Sequence, residues 1–179
     1  LDLLGVPPTA DEARAFVADE ALDKRERLID SLLARPEFAD RFALKWADIL
    51  QNRGAGYSTS RQRPGTTLFA AWIRDAFATN KPYDQFCRQQ IAGDTLPDAR
   101  PEDVIATGYL VAGVHNTVLG NDQMRAVARQ DEMEDLIGNV SQTFLGLTAN
   151  CARCHDHKFD PIAQVDYYRL SAALGGVQH

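Results

Sequence analysis

Cys151-Ala-Arg-Cys154-His155 constrains this chain more than any other stretch. Cys-x-x-Cys-His is the attachment signature of a c-type haem. Two thiols one helical turn apart can each add to a haem vinyl group, and the next residue, His155, falls where the iron takes its proximal ligand. A macrocycle fastened at Cys151 and Cys154 becomes part of the local core, so the rest of the chain has to close round it. Two other chemistries compete for the same residues. Cys151, Cys154, His155 and His157 are four zinc-type ligands, but structural zinc sites usually draw on two separated ligand pairs. A redox dithiol normally follows a strand in a βαβ unit, and no such unit is legible here.

Helical periodicity runs through nearly the whole chain. Thr9-Ala-Asp-Glu12 reads as a capping box that opens a first helix carrying Ala13, Phe16 and Val17. A second is expected over about Asp23 to Ala34, with Leu28, Ile29, Leu32 and Leu33 as its apolar stripe. Pro36 stops it and starts a third, reaching about Gln51 and burying Phe38, Phe42, Trp46, Ile49 and Leu50. Arg53–Thr67 is the longest irregular stretch; its three arginines read first as a solvated basic loop, with pairing to haem propionates or a partner's carboxylates as the alternative. Leu68–Thr79 turns Phe69, Trp72, Ile73, Ala76 and Phe77 inward. Pro82 begins a helix through Phe86 to Ile91, and Glu102 to about Val111 is a further helical segment. Asp122 is expected to cap a long helix to about Leu147, buried through Met133, Leu136, Ile137, Val140, Phe144 and Leu147. Gly138 and Gly146 offer close approach to another helix or a flat ring. Gln164–Leu174 is the last helix. No alternating strand pattern or repeat interrupts the series. The expected fold is therefore all-α: one domain over residues 1–179, a bundle of about seven to eight helices with long irregular loops around a c-type haem.

Charge narrows the partners. A formal net charge of −6 argues against nucleic acid and anionic membrane surfaces. No apolar run approaches the ~20 residues of a membrane-spanning helix, so no transmembrane segment is expected. The first residue is Leu rather than Met, and the chain reads as a piece of something longer. Covalent haem attachment takes place outside the cytoplasm, so the motif implies a periplasmic or otherwise extracytoplasmic location. The remaining cysteine, Cys87, is expected as a buried inert thiol on a helix.

The stretch Phe144-Leu-Gly-Leu-Thr148, then Cys151 to Ile162 with Cys-Ala-Arg-Cys-His-Asp-His-Lys-Phe-Asp-Pro-Ile, and Asp166-Tyr-Tyr168 resembles the planctomycete cytochrome C-like domain family. Leu3–Pro8, Pro82-Tyr-Asp-Gln-Phe86, Ile91-Ala-Gly-Asp94 and Ala106-Thr-Gly-Tyr109 match as well, so the likeness covers nearly the whole chain. The resemblance implies an exported domain, usually one module of a larger protein, whose family is biochemically little defined.

The iron's second axial position is not fixed by the motif. His115 is the first candidate for it, from a loop before the long helix. Met124 is the alternative, and Met133 belongs to an apolar stripe. A methionine there would raise the potential. His157, two residues past His155, reads as a positioning residue, with service to a second haem as the other possibility; His179 ends the chain. Arg153 and Lys158 are candidates to neutralise propionates, and Asp156 and Asp160 to cap the following turn or hold a cation. The expected function is single-electron transfer by a mono-haem domain, with a redox protein or a larger membrane-associated assembly as partner. A haem enzyme or ligand sensor with an open distal site is the alternative, and a zinc-bound structural subunit is the third reading.

Overall fold

Helix boundaries follow the proline, glycine and cap residues closely. The computed structural model describes residues 1–52, 65–113, 115 and 120–177. Among them are eight α-helices and no strand: α1 (Ala10–Ala18), α2 (Lys24–Leu33), α3 (Pro36–Ile49), α4 (Thr66–Ala78), α5 (Tyr83–Ala92), α6 (Pro101–Ala106), α7 (Asp122–Val140) and α8 (Gln164–Leu174). Short 3₁₀ segments at Gly93–Thr95, Thr107–Val111 and Ala149–Arg153, and a π turn at Ser141–Leu145, join them. The fold is all-helical, as the periodicity predicts.

Several starts are set by local chemistry. Thr9 Oγ1 accepts from the Glu12 N–H at 3.2 Å while the Glu12 carboxylate accepts from the Thr9 N–H at 2.7 Å, the expected capping box. Pro36 occupies the first turn of α3, where its missing N–H costs nothing. Gly65, with φ of 91°, caps α4, which starts two residues before the expected Leu68. The rest of the stretch from Arg53 lies outside the described residues, as does His179. The expected cap of α7 is displaced by one: Asn121, not Asp122, accepts from the Met124 N–H at 3.0 Å.

The core is centred on α4, α5 and α7. Phe69, Trp72 and Ile73 of α4 pack with Phe86 of α5 and Met133 and Ile137 of α7 in one buried cluster. α3 lies along α4, and α7 and α8 both pack on the Ala149–Arg153 turn that carries Cys151. Two expected burials fail. No residue of α1 or α2 is buried, and Leu28, Ile29 and Leu33 face solvent instead of a core. Ile49 is exposed and Leu50 takes the interior position, because α3 ends at Ile49 and the chain turns there.

A buried polar chain fixes α5 to α6. Gln89 Nε2 donates to Asp103 Oδ1 at 2.5 Å, Lys81 Nζ donates to Gln89 Oε1 at 2.9 Å, and the Arg100 N–H donates to Asp103 Oδ2 at 2.8 Å. Gly93 is needed beside it, because a Cβ there would collide with the Asp103 carbonyl. The Arg100 N–H foremost, with help from the Gln89 amide and the Arg100 guanidinium, holds the Asp103 carboxyl below its ordinary range. Asp103→Ala orphans two donors and should cost about 2 kcal/mol. A carboxyl depressed in the folded state stabilises above its unfolded value, about 4, and loses that contribution as pH falls through the folded one. Urea titrations should accordingly show a gap between wild type and variant at pH 7 that narrows by pH 3.

Candidate functional site

The Cys-x-x-Cys-His segment sits on a short turn clamped between two helices. On one side the Arg153 guanidinium pairs with Glu134 of α7 and lies 4.0 Å from Asp131. On the other, the Arg153 carbonyl accepts from Gln164 Nε2 at 3.0 Å and from the Tyr168 hydroxyl at 3.1 Å, both on α8. Ala149 and Ala152 point into the core. That alternation leaves Cys151 and Cys154 exposed, and both are free thiols. Gly138 serves this junction: a Cβ there would touch the Asn150 side chain at 3.5 Å, so the approaching partner is the motif's own turn.

His155 is exposed, and its Nδ1 lies 2.7 Å from the Asp156 carbonyl oxygen. A carbonyl only accepts, so Nδ1 carries the proton and Nε2 keeps its lone pair. This is the tautomer a metal-ligating histidine adopts, with the other ring nitrogen oriented by a carbonyl partner.

His157 is used differently. Its Nδ1 accepts from the N–H groups of Asp160 at 2.8 Å and Phe159 at 3.2 Å, and Nε2 lies 2.9 Å from Thr148 Oγ1. With Nδ1 accepting, Nε2 holds the proton and donates it to the hydroxyl. The His157 N–H also donates to the Ile162 carbonyl at 2.8 Å. The ring rivets the loop after the motif to the turn before it. Among the described residues no three His, Cys, Asp or Glu side chains gather at one metal-sized point; the zinc-type quartet is thus dispersed, with both His157 nitrogens engaged elsewhere. His157→Ala strands two backbone donors and should cost about 2 kcal/mol, read as a lower urea midpoint.

The family model PSCyt2, described as a protein of unknown function (DUF1549), matches residues 1–179. The chain belongs to that family, the cytochrome C-like one the sequence resembles. No curated protein and no solved structure matches it.

In this PSCyt2 chain the residues around the motif fit a covalently held haem. Two thiols and an imidazole nitrogen with a free lone pair stand on one exposed turn. Behind them, two buried polar atoms have no protein partner: Asn150 Oδ1 and the Tyr167 hydroxyl. Asp156 has the capping role expected of it, accepting from the Gln164 N–H at 2.8 Å at the start of α8. Lys158 lies over the Phe159 ring, 5.1 Å from its centroid.

The distal candidates separate. His115 Nδ1 lies 2.8 Å from Glu132 Oε1. Along α7, Glu132 is rotated about 100° from Asp131 and about 160° from Glu134. The Glu132-bound His115 and the Arg153-bound motif thus occupy different flanks of α7, and the structure does not bring them together. Met124 precedes Asp131 by seven residues, about 10 Å of rise and nearly in phase. It therefore shares the motif's flank, and it is exposed. Met133 is buried in the core, as its stripe predicts. Cys87 is half-buried rather than buried, and its thiol is the foremost cause that holds the Tyr83 phenol above its ordinary range. No helix among the described residues is long and apolar enough to cross a membrane.

Proposed function

We propose that this PSCyt2 chain is a mono-haem c-type cytochrome domain that passes single electrons outside the cytoplasm. The observation that carries the reading is the state of His155. Its Nδ1 proton is committed to the Asp156 carbonyl, and its Nε2 lone pair stands on the same turn as two exposed free thiols. A bound c-type haem supplies a one-electron iron couple. The chain's own contribution is attachment and tuning. Cys151 and Cys154 fasten the group, His155 offers Nε2, and Arg153, pinned to Glu134 of α7, keeps the turn rigid. Of the two candidates for the second axial position, Met124 shares the flank and is favoured over His115, which is held by Glu132.

Extracytoplasmic placement follows from the same reading, because thioether attachment takes place there. The acidic surface, net charge −6, suits a redox partner or membrane-associated assembly that presents a basic patch.

Visible absorption spectra of the oxidised and reduced protein, with a haem stain on a denaturing gel, test the proposal. Covalent haem with a low-spin, six-coordinate spectrum and a reversible one-electron couple supports it. A high-spin ferric spectrum altered by cyanide or peroxide replaces electron transfer with an enzyme or sensor. Zinc without covalent haem overturns the cytochrome reading altogether.

A further inference from the structure

Tyr168 is a large aromatic that the fold fixes in place yet leaves half open to solvent. It is 50% exposed, and its hydroxyl donates to the Arg153 carbonyl at 3.1 Å. That carbonyl belongs to the peptide bond leading into Cys154, so the ring stands beside one of the two exposed sulfurs. Gln164 Nε2, one turn back along α8, reaches the same oxygen at 3.0 Å. Two side chains of α8 thus tie the helix to the turn at the point where Cys154 begins. From the core side the buried Tyr167 ring meets the Tyr168 ring edge to face, with centroids 5.2 Å apart.

Tyr168 belongs to a row. Residues three and four apart share one side of a helix, and on α8 Val165, Tyr168 and Ala172 are spaced in that way and are all exposed. A single exposed apolar side chain needs no explanation. A row of them that borders two exposed thiols does, and it lies outside the core into which Ala149 and Ala152 turn.

We infer that the Val165, Tyr168 and Ala172 side of α8 is the wall against which the porphyrin fastened at Cys151 and Cys154 lies, with Tyr168 as its positioning residue. This rests on the haem reading above. A porphyrin is flat and mostly apolar, and a thioether at Cys154 leaves it next to whatever borders that residue. The Tyr168 ring offers it an aromatic contact, and Val165 and Ala172 extend the apolar cover along the helix. The two ends of the tyrosine divide the work. Its hydroxyl ties α8 to the turn, and its ring makes the contact.

Soret circular dichroism of the haem-loaded protein tests this, because the signal reads the coupling of the porphyrin to neighbouring aromatic rings. Tyr168→Phe keeps the ring and loses the hydrogen bond, so the urea midpoint should fall while the Soret signal stays at its wild-type size. Tyr168→Leu keeps apolar bulk and loses the ring, and should remove roughly half of the signal with covalent haem retained. Val165→Asp sets a carboxylate on the wall. Poised at the wild-type midpoint, it should raise the oxidised-to-reduced ratio by on the order of threefold. Val17→Asp, on the exposed face of α1, should leave that ratio unchanged. A wild-type Soret signal in Tyr168→Leu overturns the inference, and so do equal losses in the Phe and Leu variants, since the hydrogen bond would then be the cause. An unchanged ratio in Val165→Asp overturns it too, because the porphyrin would then lie elsewhere. Absence of covalent haem from the wild-type chain would instead sink the parent reading, and the haem stain separates that failure from the others.

Discussion

Replacing Cys151 and Cys154 together by alanine should leave no covalent haem on the chain. Both sulfurs are exposed and free, and no other cysteine is near enough in sequence to substitute, Cys87 lying on α5. Stability should fall as well, by several kcal/mol, because a group bound only to the folded state adds its binding free energy to folding. The turn that carries the motif is packed between α7 and α8, so the loss should be felt in the carboxyl-terminal half first. Haem stain, absorption and a urea titration of the same preparation check both parts. Covalent haem retained by the double variant would show that the attachment assignment is wrong. Covalent haem lost with unchanged stability would show that the group contributes little to the core.

Phe86→Ala should be the most damaging single truncation in the helical body. Phe86 is 4% exposed, and its ring meets Trp46 at 5.0 Å and Trp72 at 5.3 Å between centroids. Phe77 and Tyr83 complete the surround. Rings from α3, α4 and α5 cannot all collapse into the space one of them leaves. A loss of about 3–5 kcal/mol follows, a fall of roughly 10 °C in the melting midpoint for a chain of this length. Phe86→Leu, which refills most of the volume, should recover about half. A thermal scan by circular dichroism reads both variants. A Phe86→Ala midpoint within a degree or two of wild type would mean that the aromatic cluster is not the centre of the core.

Much of the fold was legible because helix punctuation is local. Thr9 with Glu12, Pro36 and Pro82 each act on backbone within one turn, and the helices begin where those residues require. The larger failures come where the deciding atoms are distant in sequence. Leu28, Ile29 and Leu33 form a good helical stripe, but periodicity says only that a helix has an apolar side, and here the rest of the fold leaves it uncovered. The Asn121 cap was missed by one residue because Asn121 and Asp122 are both good capping types. Nothing local marks Asp103 as buried; its pairing with Gln89 depends on α5 meeting α6.

The site divides in the same way. Cys151, Cys154 and His155 are read from spacing alone, and so is the pull of Asp156 on the following helix. The placement of His115 against Glu132, away from the motif's flank, is a contact between residues 17 apart in sequence. Its loop position gave no sign of that. Tyr167 was legible as a helical residue of α8, but nothing in Asp-Tyr-Tyr distinguishes the phenol that finds a carbonyl from the one that finds none.

The π turn at Ser141–Leu145 has a consequence for the motif's orientation. It closes with Gly146 at φ of 67°, and the Leu147 N–H reaches back to the Ser141 carbonyl at 3.2 Å. A π turn holds one residue more than an α turn. The left-handed Gly146 then ends the helical path five residues before Cys151, in a backbone state that side chains disfavour. The direction in which the chain leaves α7 toward both cysteine sulfurs thus rests on one residue without a side chain.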